Sequence, residues 1–428
     1  MDTATARKID SNTLEVTVRI RVAGSLLETE ENLQDGLNEA GKKALELAIP
    51  AFDADGSPIR AGKIRYTSNG RFAQEYETPY GVVPVERHVY QSQYGGKTYC
   101  PLEEKCRMIL NATPRLAKIV SSKYADMGAP ALVRDMEESL RRTLSVRYVK
   151  SLGDFVGAVA EAKEVHWEYE IPELPEKTAS VVVGLYGTCL LMKDGNWRQA
   201  MCGSISLFDE EGVRMHTIYA GAAPEYGKET FCRRFDRELE RVKELFPDAL
   251  YVGLADGAPD NWSWLEPRTE RQLIDFWHAR EYVGKAARAM PGKKEKEREA
   301  WEDEWSHRLK HERGAVPKLL REIKAAKDKV QETKRGAGKA HWEDLAAAER
   351  YFTNHKGKMG YWRHKAENLP IGSGVTEAAC KTLIKARLCQ SGMRWKSEGA
   401  ARVIALRALR MSGGRWEQFW NKINQYGI

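Results

Sequence analysis

Ser180 to Gly195 reads SVVVGLYGTCLLMKDG, and the reading of this stretch decides the fold. Val181 to Leu185 form an unbroken apolar run, as expected of a buried strand. Lys193-Asp194-Gly195 then supplies a polar turn. At the strand's end, where a catalytic acid could sit, stands Tyr186.

Working outward, residues 180–192, 198–208 and 212–221 read as three strands in quick succession. Asp194-Gly195-Asn196 and Glu210-Glu211-Gly212 break them. Residues 228–246 follow as a helix, with Phe231, Phe235, Leu239, Val242 and Leu245/Phe246 in one stripe. ALYVGLA (249–255) is a fourth strand and RQLIDFW (271–277) a fifth. Three strands, helix, strand, helix, strand is the order of a ribonuclease-H-like α/β core. Residues 281–365 read as long charged helices, with Trp301, Trp305, Trp342 and Trp362 at apolar positions and joints at Pro317 and Gly336. Residues 371–388 and 398–411 add further helices. The fold class predicted is α/β: a ribonuclease-H-like mixed-sheet core interrupted by an all-helical insertion.

Upstream, LEVTVRIRV (14–22) alternates as a half-buried strand, and 28–48 has helical spacing through Leu33, Leu37, Ala40, Ala44 and Leu47. Turn signals at Asn69-Gly70, Pro79-Tyr80-Gly81 and Gly95-Gly96 predict a small β element over 62–99. Residues 114–160 switch to three short helices, with Pro130 opening the second and Ser145 capping the third. That spacing suits a helix-turn-helix whose last helix enters the major groove, and equally a plain helical bundle. EIPELPEKTA (170–179) reads as a linker. The predicted domains are 1–112, 113–169 (helix-turn-helix-like), 178–284 (first part of the core), 285–368 (helical insertion) and 369–428.

The chain carries 68 Lys/Arg against 61 Asp/Glu, a net charge of +7, unevenly placed. Residues 1–60 have 7 basic against 11 acidic side chains, residues 285–365 have 22 against 13, and residues 371–425 have 10 against 3. A basic C-terminal half suits a polyanionic partner. The DNA-binding candidates are Arg141, Arg142, Arg147 and Lys150 around the third helix, and Lys381, Lys385, Arg387, Arg394 and Lys396 downstream. Seven scattered cysteines without a C-x-x-C pair indicate neither a disulfide framework nor a zinc finger. With no basic-then-apolar leader and no run long enough to span a bilayer, a cytoplasmic setting is expected.

Two acids stand out. Asp256, in YVGLADGAPDNW, closes a buried strand, where an unpaired charge costs desolvation unless it does a job such as binding metal. Glu377, in GSGVTEAAC, lies on the first turns of a helix. Paired carboxylates hold the hard divalent cations that clamp attacking and leaving oxygens in phosphoryl transfer.

VVVGLYGTCLL, TIYAGAAPEYGKETF, YVGLADGAPDNWSWLEP, DFWHAREY and PIGSGVTEAACKTLIKARLCQSGMRW resemble blocks of bacterial insertion-sequence DDE transposases of the Kra group, from about residue 60 to the end. The resemblance implies strand cleavage and transfer at terminal inverted repeats, with Mg²⁺ or Mn²⁺ as cofactor. It also implies double-stranded DNA as partner, a homodimer or higher oligomer, and a nucleoid-associated place in a bacterial cytoplasm. It puts the second acid on Asp256 and the final Glu on Glu377, both as metal ligands. Asp275 and His278 resemble an Asp-x-x-His signature, though a strand end with a packed histidine would look the same.

The departure is at the first acid, where the family pattern Asp-Gly-Thr reads Tyr186-Gly187-Thr188. A phenol, with an ordinary pKa of about 10, is a poor Mg²⁺ ligand. Asp194 and Asp260 are the nearest other acids, and neither is an evident substitute. The expectation is a transposase-family DNA-binding protein with an impaired site. The alternative is an active Mg²⁺-dependent enzyme in which another acid serves, and a helical interaction protein is a third reading that leaves the basic half unexplained.

Overall fold

The computed structural model describes residues 4–225, 228–331, 337–372 and 374–428. Two compact units divide the chain, 1–169 with 415–428 and 170–414.

In the first unit, strands β1 (Ala4–Lys8) and β2 (Leu14–Val18) form a hairpin against helix α1 (Leu26–Ala48), whose N-cap Ser25 accepts from Glu28 N. Strands β3 (Ile59–Ala61), β4 (Ile64–Glu77) and β5 (Val82–Ser92) form an antiparallel sheet. The register of β4 on β5 shifts at Asn69-Gly70, so that turn dipeptide makes an irregularity inside a long strand and no hairpin tip. Ile49, Tyr76, Val83, Val85 and Leu102 form a small core. After the short helix α2 (Pro101–Lys105) come α3 (Pro114–Asp126), α4 (Ala129–Leu140) and α5 (Val146–Lys163). Ser145 caps α5 by accepting from Tyr148 N. The last helix, Arg415–Tyr426, packs in this unit, where Trp167 meets Phe419.

The second unit is built on a five-stranded mixed sheet in the order β10-β9-β6-β7-β8. Its strands are β6 (Ser180–Leu191), β7 (Trp197–Phe208), β8 (Arg214–Ala222), β9 (Leu250–Ala255) and β10 (Arg271–Ile274). The first three are antiparallel neighbours; β9 and β10 run parallel to β6. Val181, Val183, Val252 and Leu254 are buried, which explains their unbroken apolar runs.

Helix α6 (Glu229–Leu245) covers one face, and a Cβ on Gly203 would sit 2.7 Å from the Phe235 ring. The other face is reached from the C-terminal helices, where a Cβ on Gly221 would sit 2.6 Å from Ile404. Cys202 and Gly221 are register partners and share that second face, while Gly203 points to the first.

The fifth strand ends at Ile274, short of the predicted 277. Asp275 stops it by capping α8 (Phe276–Ala289), and its carboxylate accepts from Trp277 N and His278 N. After the short α7 (Pro259–Leu265) and α8, the helices α9 (Glu295–His311), α10 (Ala315–Gln331) and α11 (Ala337–His355) pack on α8 and on each other. Next come α12 (Tyr361–Ala366) and α13 (Gly374–Ala379). A π-helical turn at Cys380–Lys385 then interrupts what the sequence suggests is one continuous helix. Among the described residues no helix is long and apolar enough to cross a membrane.

Candidate functional site

The site lies where β9 ends, beside the middle of its parallel neighbour β6, which runs on past Tyr186 to Leu191 instead of stopping after Leu185. Register pairs Leu185 with Ala255, so Tyr186 and Asp256 come next along neighbouring strands. Tyr186 is buried, and its ring stacks on the His278 imidazole at 6.3 Å and 23°. The cap at Asp275 fixes where α8 begins and hence where His278 stands. Asp275 itself is fully buried and serves the helix start, accepting from Trp277 N at 2.6 Å. His278 Nδ1 lies 3.6 Å from Glu281.

The half-buried Asp256 carboxylate accepts from Ala258 N at 3.0 Å and Asn261 Nδ2 at 3.1 Å. The same Asn261 amide group donates to Leu185 O at 3.2 Å. Asn261 therefore ties the acid to the strand that carries Tyr186. Sequence reasoning passed over it, because Pro259 signals only that a helix begins there.

Tyr186 pairs with Cys202 across the sheet and shares its face. Cys202 contacts Cys380, whose thiol and the surrounding burial hold it well above the usual thiol range. Helix α13, which carries Glu377 three residues before Cys380, packs on β6 and β7. The Glu377 side chain lies outside the described residues.

The helical insertion closes the site. A cleft of about 450 Å³ is lined by Asp256, His278, Glu281 and Lys285 from the core side and by Arg350, Tyr351, Asn354 and His355 from α11. A Cβ on Gly257 would sit 3.1 Å from His355 Nε2 and 3.2 Å from Tyr351, so glycine after the acid lets α11 approach closely. Tyr351 stacks on Tyr282 at 3.8 Å and 9°. Burial, and after it Lys358, holds His355 below the ordinary imidazole range, against the pull of Asp256. Burial also pushes the Tyr351 phenol up. No local signal marked Tyr351 or His355, because only the folding of α11 over the strand ends brings them here.

Asp194 and Asp260 stand elsewhere. Asp194 lies in the turn beyond Leu191, the last residue of β6 and roughly 17 Å along the strand from Tyr186, and pairs with Arg198. Asp260 is largely exposed, 3.8 Å from Lys228. Among the described residues no group of three His, Cys, Asp or Glu could hold a metal ion. With a phenol beside Asp256, this donor set does not fit a two-ion carboxylate clamp.

The basic candidates divide. Arg142 is buried, donating to Glu77 at 2.6 Å and to Thr78 O. Arg141 turns the chain in a left-handed cap (φ 51°) and pairs with Asp35. Arg387 is buried over the Trp395 ring. Arg147, Lys150, Lys381, Lys385, Arg394 and Lys396 are exposed. Much of the insertion's charge is internally paired, Arg308 with Glu304 and Glu312, Lys318 with Glu312, and Lys327 with Glu349. Comparison with protein-family models gives no match for this chain, and comparison with curated proteins gives none.

Proposed function

We propose that this chain is a DNA-binding protein of the DDE transposase kind, recognising terminal inverted repeats or sites derived from them, with a catalytic centre impaired at Tyr186. The observation that carries this reading is Tyr186 in register beside Asp256, its ring on His278. Asp256 stands at the end of β9, with a phenol on the neighbouring strand where a bridging carboxylate would be required. The sheet order, with three antiparallel strands and two parallel ones beyond the first, supports the ribonuclease-H-like reading, as does the helical insertion between β10 and α13.

In this reading Asp256 and Glu377 hold at most one hydrated Mg²⁺ or Mn²⁺, which would supply Lewis acidity at a phosphate. Arg147 and Lys150 on the first turns of α5 contact DNA, and so, in the second unit, do Lys381, Lys385, Arg394 and Lys396. Arg141, Arg142 and Arg387 support the scaffold that presents them.

Selection of bound sequences from a random duplex pool tests the reading. Enrichment of one consensus is expected. Retention of all sequences alike, or of none, would overturn the recognition of specific ends.

A further inference from the structure

We infer that the β3–β4 hairpin is a duplex-contacting arm, which lays Arg60, Lys63 and Arg65 along a phosphate backbone. The inference rests on the DNA-binding reading and adds a surface separate in sequence from α5 and from residues 381–396. Gly62 and Lys63 alone join β3 to β4. Gly62 has φ 60°, the left-handed value that a two-residue hairpin turn demands, so Lys63 is held at the tip. Register sets Arg60 directly opposite Arg65. Their shared face continues through Thr67 and its partner Gln91. Arg60, Arg65 and Thr67 are exposed, whereas on the opposite face Ile59, Tyr66 and Ser68 are half-buried and Tyr90 is buried. The other end of this sheet is anchored through Tyr76, Val83 and Val85 in the small core.

Charge selects the partner. Like charges directly opposite in a sheet repel, and among the described residues Arg60, Lys63 and Arg65 have no ion-pair partner. The strands around them offer none, since residues 56–74 and 87–102 contain no Asp or Glu. An anion spanning the two guanidinium groups would relieve the repulsion. Three cations on one short tip suit a repeating anion better than a lone one. The face interleaves them with Thr67 and Gln91, and duplex phosphate oxygens accept from Arg, Lys, Thr and Gln side chains alike. A β-ribbon also has a width that the major groove admits.

The test is Kd of the full chain for a random-sequence duplex against salt, so it does not depend on recognition of particular ends. Arg60→Gln with Lys63→Gln and Arg65→Gln is expected to weaken low-salt binding at least ~10-fold and to flatten the log–log slope by about 2–3, at roughly 0.9 per phosphate contact. Arg60→Gln alone is expected to weaken binding while leaving the thermal midpoint unchanged or raised, because it removes a like-charge pair. Lys63→Gln alone, confined to the turn, should flatten the slope by about 1 and keeps the test valid if the triple variant fails to fold. Wild-type affinity and slope in these variants would overturn the inference and leave the DNA-binding reading standing. Loss of binding to phosphatidylserine vesicles with duplex binding unchanged would overturn it in favour of a lipid surface. A wild type that binds no duplex would overturn both.

Discussion

Asn261 shows how much one side chain can carry at this strand end. Its amide bridges the Asp256 carboxylate and the Leu185 carbonyl, so Asn261→Ala leaves a buried carbonyl unpaired. A loss of roughly 1–3 kcal/mol is expected in urea unfolding, whereas a change within error would show the bridge to be incidental. His364 gives a pH prediction. It is buried beside Pro370 O, and burial pushes its pKa down to about 4. The unfolded imidazole titrates near 6.5, so folding favours the neutral form. That stability is complete above pH 6.5 and is lost as pH falls toward 4, amounting to roughly 3 kcal/mol. His355 acts in the same direction. Glu312 and Glu367, held low chiefly by Arg308 and Arg271, act below that window. Replacing His364 with Gln should therefore remove most of the slope between pH 6.5 and 4 in denaturation midpoints. An unaltered slope would place the titration elsewhere.

The helices sort the arginines by what each one holds. Arg142 joins α4's end to β4 through Glu77, so Arg142→Ala is expected to cost about 2–3 kcal/mol of stability, since it strands a largely buried carboxylate partner. Arg147→Ala, on the exposed first turn of α5, should leave the melting temperature unchanged and weaken DNA binding. Equal weakening on selected and random duplex would mean that Arg147 touches phosphate and not a base edge. The sequence does not separate these two arginines, five positions apart, because their difference arises from tertiary packing. What is legible there is local periodicity. The β6 run, the α6 stripe and the Ser145 cap follow from spacing and capping chemistry. The end of β10 does not, because Asp275 can continue an apolar run on paper while its side chain captures two helix N–H groups in three dimensions. Of the site, Asp256 is legible as a strand end, whereas Tyr186, which follows the Val181–Leu185 run on paper, lies inside β6 because that strand continues to Leu191. Tyr351 and His355 are not legible, since the helix that delivers them folds back from a distant part of the chain.

At the scale of the molecule, charge and chemistry part company. The exposed cations on α5 and between Lys381 and Lys396 should release counterions on binding, so log Kd measured against log salt is expected to be steeply linear; a flat response would remove the polyanion from the account. Binding alone does not reach the central claim, which is that a DNA-recognising scaffold holds an otherwise assembled site disabled at one position. Strand cleavage of a selected duplex in titrated Mg²⁺ or Mn²⁺ reaches it directly. The account predicts little cutting by the wild-type chain, a gain of at least ~100-fold in Tyr186→Asp, as expected for restored electrostatic stabilisation of the transition state, and loss again when Asp256→Ala or Glu377→Ala is added. Efficient cutting by the wild-type chain, or no gain in Tyr186→Asp while it still binds the duplex, would contradict it.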